Sequence, residues 1–350
     1  MTVLYFGMYD PAYSRNSILI SGLRQNGVTV LECQDKSPGL KKFINLYRKH
    51  KTFKGKYDVM MVGFMGHMMV PFAKLTTRKP IVFDAFLSLY DSNIFDRKLA
   101  GPHSLKAWYY WILDWLSMHL ADRVLLDTQA HINYASTAFH VKKEKFARFW
   151  IGVQDAIFYP RNKTRQTNAY VVFFHGSFIP LQGVEYIIQA ARILRGHEDI
   201  EFWMFGGGQT KESMIQLARD CNLGNVKFFQ HVPVTEVAEK MADADICLGI
   251  FGKTSKTARV IPNKVYENLA AKKPTITADT PAIRELFTEQ DLLLISAADP
   301  KSLAEAILKL KGNPDFAQRI AEHGYQTVQL SAIPRILGKQ LYENLLFWKF

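Results

Sequence analysis

Cysteine is scarce in this chain, and none is placed to bond another. Cys33, Cys221 and Cys247 are the only three in 350 residues, far apart and without paired spacing. That excludes a disulfide framework and a clustered zinc site, and it fits a reducing compartment. Long apolar runs are missing as well. The most apolar long segment, Trp108 to Leu120, is broken by Asp114 and His119, so no membrane-crossing helix is expected. The opening MTVLYFGMYD enters strand-like sequence without the basic region and apolar stretch of a secretory signal. A dinucleotide fingerprint is also lacking. The first strand runs into Gly7-Met-Tyr-Asp-Pro-Ala-Tyr-Ser-Arg15, and Gly206 to Gly208 has neither the third, spaced glycine nor the later acid. These absences disfavour a nicotinamide enzyme and a secreted two-lobed binding protein.

Acidic residues are thin in one region. Lys and Arg outnumber Asp and Glu by 21 to 12 over residues 1–160 and by 23 to 20 over residues 161–350. Nine (21 − 12) of the twelve excess positive charges therefore lie in the first half. Between Lys36 and Lys56 there are eight Lys or Arg and no acid. Such a run attracts a polyanion: nucleic acid, phospholipid head groups or a phosphorylated substrate.

What is present is a strand–helix alternation, twice over. Short β-rich runs occur at Val3–Phe6, Val28–Leu31, Val59–Val62, Ile81–Phe83, Val124–Leu126 and Phe146–Trp150. They resume at Tyr170–Phe174, Ile200–Phe205, Val226–Phe229, Ile246–Ile250, Thr275–Thr277 and Leu292–Ile295. Continuous apolar strands separated by amphipathic helices imply parallel sheets covered on both faces. The polar stretch at 159–168 divides the sets, giving domains at 1–158 and 169–330. The expected class is α/β, two doubly wound Rossmann-like domains, with ligands bound outside the strand carboxyl ends.

The second half carries the more specific pattern. A strand ending at Ile250 runs into a basic loop, and a helix starts near Pro262 or Asn263. The helix amino end is an anion site. Lys253, Lys256, Arg259 and Lys264 add four cations before the first acid, Glu267. That arrangement suits a diphosphate, and Glu267, one turn beyond Lys264, suits the two hydroxyls of a ribose. The bland alternative is an exposed Lys–Glu helix pair.

With these landmarks the chain resembles the retaining nucleotide-sugar glycosyltransferases of GT-B fold, the group 1 or family 4-like enzymes. Ala121-Asp-Arg-Val-Leu-Leu-Asp-Thr is similar to the segment closing their first domain. Ile151-Gly-Val-Gln-Asp-Ala-Ile-Phe-Tyr-Pro160 is similar to their interdomain stretch. Phe174-His-Gly-Ser-Phe-Ile-Pro-Leu-Gln-Gly183 sits at their phosphate loop, and Phe205-Gly-Gly-Gly, Val226–His231 and Lys264–Pro274 follow in order. The resemblance implies that Gly176, Ser177, Gln182 and Gly207 belong to the donor site, with His231 and Val232 beside the base. It implies that Arg259, Pro262, Asn263 and Lys264 hold the diphosphate and sugar, and Glu267 the ribose. It implies no cofactor beyond the nucleotide-sugar donor, no metal, and a final helix at 331–350 returning to the first domain.

Three positions depart from the family pattern. Ser177 and Gln182 stand where the family has Arg and Lys, and Arg259 stands at the first Glu of its Glu–seven–Glu pair. Arg259 and Lys264 are expected to resupply the lost charge and to join Asp84 as catalytic residues. Asp84 stands near the family's histidine and is expected to face the acceptor hydroxyl, against a loop-capping alternative. Arg15 and Asp91 are expected on the acceptor or phosphate side. Asp243-Ala-Asp245, between a helix and a strand, is expected to be structural, as are His67 and His103.

The basic segment then takes a partner. Leu40, Phe43, Ile44 and Tyr47 fall on one helical stripe, with Lys41, Lys42, Arg48 and Lys49 on the other side. This is either an ordinary surface helix or one lying on anionic lipid. Nucleic acid is not expected, because no nucleic-acid-binding module is present. The resulting expectation is a cytoplasmic transferase, peripheral at the inner membrane face, moving a sugar from a UDP- or GDP-sugar to a lipid-linked or cell-surface glycan precursor. The alternative of another class is a GT-B protein that binds nucleotide sugar without turnover.

Overall fold

In a computed structural model, residues 1–162 and 167–348 are described. Residues 163–166 of the expected linker lie outside them. The chain divides into one unit of 1–154 with 331–350, and a second of 155–330.

The first unit runs β1 (Thr2–Gly7), α1 (Ser14–Gln25), β2 (Thr29–Gln34), α2 (Lys41–Phe53), β3 (Val59–Val62) and α3 (Met69–Thr76). It continues through β4 (Ile81–Phe86), α4 (Leu105–Leu120), β5 (Arg123–Leu126), α5 (Gln129–Phe139) and β6 (Phe146–Arg148). Its parallel sheet has the order β2-β1-β3-β4-β5-β6. One sheet face buries Leu4, Phe6, Met60 and Phe83 against Leu46 of α2, Val70 of α3 and Met118 of α4. The other buries Val3, Tyr5 and Met61 against Leu19 and Leu23 of α1. The alternation of neighbouring residues between two apolar layers is why these strands have no polar face.

The second unit runs β7 (Tyr170–His175), α6 (Val184–Ile193), β8 (Ile200–Phe205), α7 (Lys211–Asp220), β9 (Val226–Phe229) and α8 (Val234–Met241). Then come β10 (Ile246–Leu248), α9 (Asn263–Ala270), β11 (Thr275–Ala278), β12 (Leu293–Ile295), α10 (Pro300–Lys311) and α11 (Pro314–Ser331). Its parallel sheet reads β12-β11-β10-β7-β8-β9. This is the strand order of a dinucleotide-type Rossmann sheet, whose direction reverses between β7 and β10, and ligands of such sheets collect at that reversal. Strand ends differ from expectation by a few residues: β2 starts and ends later, and β6 and β10 stop earlier, where ladder pairing ends.

The last helix, α12 (Pro334–Phe347), belongs to the first unit and lies against α1. The two backbones meet at Gly22 and Gly338, where a Cβ on Gly338 would come within 2.0 Å of the Gly22 carbonyl. Alanine favours an isolated helix over glycine by about 1 kcal/mol. Here the added methyl has only backbone to push on, so the helices must separate. Gly338→Ala is therefore expected to destabilise by about 1–3 kcal/mol. A melting temperature equal to or above wild type would contradict this contact.

Candidate functional site

The site builds from the carboxyl ends of β7, β8 and β9 and from the face of α9. His175, Gly176 and Ser177 follow β7; Gly206 and Gly207 follow β8; His231 to Pro233 follow β9. Together with Val237 and Glu267 they line a pocket of 330 Å³. Phe205 and Phe229 stack at 4.2 Å between ring centroids, packing its β8–β9 side. Gly176 sits at φ +138, and a Cβ there would meet Lys264 Nζ at 2.8 Å. The position therefore favours glycine for its backbone and for the ammonium behind it. The loop after β7 is tied to the loop after β10 by Phe251 N donating to Gln182 O at 3.0 Å and Gly252 N to Leu181 O at 3.2 Å.

Helix α9 begins after Pro262, which is extended, and no side chain caps its first amides. Lys264 and Glu267 share an inward face, three residues apart. Lys264 is 4% exposed. Its ammonium donates to Gln182 Oε1 and lies 3.7 Å from the Phe174 ring centroid. Burial pulls its pKa well below the usual value, against the pull of Glu267. Burial pushes the Glu267 carboxyl up to about 7, opposed by Lys264. Neither partner is comfortable as an isolated charge, so the pair is poised for a ligand that supplies counter-charge and hydrogen bonds.

His175 completes the arrangement. Asn268 Nδ2 donates to Leu248 O at 3.3 Å, which leaves its Oδ1 to accept from His175 Nε2 at 3.1 Å. Burial, and then Lys264, push the His175 pKa down to about 3, so the ring is neutral with its lone pair on Nδ1. That lone pair faces Glu267 Oε2 at 3.7 Å. Two acceptors this close call for a donor between or beside them: a proton on Glu267, or the hydroxyls of a ligand.

The residues singled out from sequence fall into three groups. Gly176, Ser177, Gly207, His231, Val232 and Glu267 line the pocket, and Gln182 and Lys264 stand behind Gly176. Pro262 and Asn263 sit at the start of α9, outside the lining. Arg259 is half-buried in the preceding turn and donates to Ser255 Oγ at 3.1 Å. His175, Phe205 and Asn268 were not singled out. His175 carried one signal, a histidine ending an apolar strand just before a glycine.

In the first unit three of the expected residues lie in buried polar networks. Asp84 and Arg15 are both fully buried, and they face each other. Arg15 Nε lies 3.1 and 3.0 Å from the two Asp84 oxygens, and Nη2 lies 2.9 Å from Oδ1. Arg15 Nη1 donates to the Phe149 and Trp150 carbonyls. Burial raises the Asp84 pKa and Arg15 opposes it. A carboxylate held by a guanidinium and sealed from water is not placed to take a proton from an acceptor hydroxyl. Asp91 is also fully buried, in a π-helical turn at 91–96, its amide donating to Ser88 Oγ at 3.0 Å. Asp245 Oδ2 accepts the Val171 amide at 2.7 Å, a strand-joining contact. His67 is buried at the Leu87 carbonyl, 3.2 Å away, and burial lowers its pKa to about 4.

Residues 156–327 match the glycosyl transferases group 1 family. That match spans nearly the whole of the second unit, 155–330. A curated relative, the lipopolysaccharide core biosynthesis glycosyltransferase LpsD of Rhizobium meliloti, is 25% identical over 164 residues, 46% of this chain and 45% of LpsD. The match thus spans less than half the length of that relative. Among solved structures, Anabaena Alr3699/HepE in complex with UDP-glucose superposes with TM-score 0.74 over 99% of this chain and all of that one, at 15% identity. The sucrose-phosphate synthase of Thermosynechococcus elongatus gives 0.75 over 99% of both chains, also at 15% identity. Likeness along the whole chain establishes the GT-B fold, two Rossmann-like domains. In the second unit the reversal between β7 and β10 carries the Lys264–Glu267–His175 cluster.

The buried Arg15–Asp84 pair generates a stability prediction. Asp84→Ala should cost about 3–5 kcal/mol by leaving the guanidinium buried and unpaired. Replacing both residues, as in Arg15→Met with Asp84→Leu, should cost less than that single change. Urea unfolding measures both variants against wild type, and a double variant that loses as much as or more than Asp84→Ala would contradict a mutually neutralised pair.

Proposed function

We propose that this protein is a glycosyltransferase that moves a sugar from a nucleoside-diphosphate sugar to an acceptor hydroxyl, with the donor held by the group 1 domain. The observation that carries this reading is the convergence of His175 Nδ1 and Glu267 Oε2, 3.7 Å apart, one helical turn from the Lys264 ammonium. A ribose diol supplies donors to the two acceptors, and a diphosphate supplies the anion for Lys264 and the uncapped start of α9. Lys264 lies against Gln182 and Gly176, and so brings a cation to the loop where Ser177 and Gln182 bring none. Charge developing on the leaving diphosphate is then met by fixed positive charge, which needs no rearrangement during transfer. We assign the base to the pocket wall at Val232–Val237. Retention of configuration and independence from metal are what the group 1 likeness suggests.

We place the acceptor among lipid-linked or cell-surface glycan precursors. The lipopolysaccharide core relative supports this, as does α2. That helix packs through Leu46 and His50, which leaves Leu40, Ile44 and Tyr47 exposed among Lys41, Lys42, Arg48, Lys49 and Lys51. Of the expected apolar stripe, Phe43 packs inward against Phe72, and the other three residues face outward. Each cation near an anionic surface contributes about 1 kcal/mol. Among the described residues no helix is long and apolar enough to cross a membrane, so we infer peripheral attachment at a cytoplasmic membrane face.

Calorimetry with UDP, GDP and ADP between pH 6 and 8 tests the donor site. Hydroxyl donors favour the Glu267 carboxylate, so a ligand must expel the proton that this group holds below about pH 7. Affinity is expected to fall as pH drops through that value and to level off above it. Glu267→Gln should bind about tenfold more weakly and lose this acid limb. No nucleotide binding, or a variant matching wild type, would reject the donor site. Binding without transfer to any glycan precursor would leave a nucleotide-sugar-binding protein.

A further inference from the structure

The first unit holds a second polar cavity at the other end of its strands. Residues 54–57, before β3, and 74–79, before β4, enclose a groove of about 690 Å³. Lys54, Lys74, Arg78 and Lys79 all line it, and no carboxylate does. Lys74 also reaches Asp122 at 3.6 Å. Lys54, Arg78 and Lys79 have no acidic partner among the described residues. Four cations held around one hollow repel one another, and an anion in the hollow reverses the sign of that interaction.

The floor of the groove is organised to donate hydrogen bonds. His50 Nε2 and Tyr57 Oη lie 2.7 Å apart, and Tyr57 Oη donates to Thr77 Oγ1 at 2.8 Å. The Lys79 amide donates to the same Thr77 oxygen at 3.0 Å. Tyr57 gives its own proton to Thr77, so the proton between His50 and Tyr57 comes from His50 Nε2. Thr77 Oγ1 therefore accepts twice, and its own proton remains to be given. No acceptor for that proton is found among the described residues. Leu75, 86% exposed, stands at the lip.

We propose that this groove binds a phosphate-bearing anion, either a phospholipid headgroup or a free phosphorylated metabolite, through Lys54, Arg78 and Lys79 with Thr77 donating. It stands at the amino ends of β3 and β4 in the first unit, and shares no lining residue with the pocket of the second unit. Amide NMR of the full chain tests it, with inorganic pyrophosphate as the first probe and short-chain phosphatidylglycerol, kept below its micelle concentration, as the second. Pyrophosphate is expected to shift the Gly55, Thr77 and Lys79 amides saturably. Lys54→Gln with Arg78→Gln and Lys79→Gln should weaken this by about tenfold or more. The charge-matched variant Lys41→Gln with Lys42→Gln and Arg48→Gln should retain it. Short-chain lipid shifting the same amides identifies a headgroup as the source, and pyrophosphate acting alone identifies a free metabolite. Absent shifts, or equal losses in both triple variants, would overturn the proposal and leave only diffuse attraction to a basic surface.

Discussion

Burying an ammonium is expensive unless its surroundings replace water, and Lys264 sets that requirement for the whole second unit. The aromatic face of Phe174, the Gln182 amide oxygen and the Glu267 carboxylate meet part of it. Each comes from a different element: β7, the turn after β7, and α9 itself. The loops after β7 and β10 must therefore hold together, which their backbone bonds from Phe251 and Gly252 ensure. Gly176 leaves room for the ammonium, and His175 stays neutral because it is buried and because the ammonium lies beside it. Strand order puts these pieces side by side, because β7 and β10 are neighbours despite their separation in sequence.

The first unit answers the same constraint in the opposite way. Arg15 and Asp84 are as deeply buried as Lys264, yet each satisfies the other, and the remaining guanidinium donor goes to backbone carbonyls. A saturated pair of this kind ties β4 to the start of α1 and to the chain leaving β6. An unsaturated group such as Lys264 is left with an unmet need, which is the physical mark that separates a ligand-binding charge from a structural one.

That distinction explains what was legible in the sequence. Strands such as Val59–Val62 and Tyr170–His175 announced themselves because both of their faces are buried, so the apolar run is continuous. The pocket residues Gly176, Ser177, Gly207, His231 and Glu267 lie in ordered loop motifs or at a helix start, where local spacing carries information. The Arg15–Asp84 pair was not legible, since 69 residues separate its partners and each alone looks like a loop charge facing solvent. Asn268 was hidden for a related reason: only its bond to His175, 93 residues away, gives it meaning. On α2 the apolar stripe was visible, but which stripe the sheet covers depends on Leu46 and His50 meeting neighbours that periodicity does not show.

The central claim is that Lys264 is the cation that receives a nucleoside diphosphate. Calorimetric titration of wild type and Lys264→Met with UDP, UMP and uridine tests it most directly. The account predicts that wild type prefers UDP to UMP, that Lys264→Met reduces this preference by about tenfold to a hundredfold, and that uridine binds both proteins alike. An unchanged UDP-to-UMP ratio in a variant that folds as wild type would contradict it.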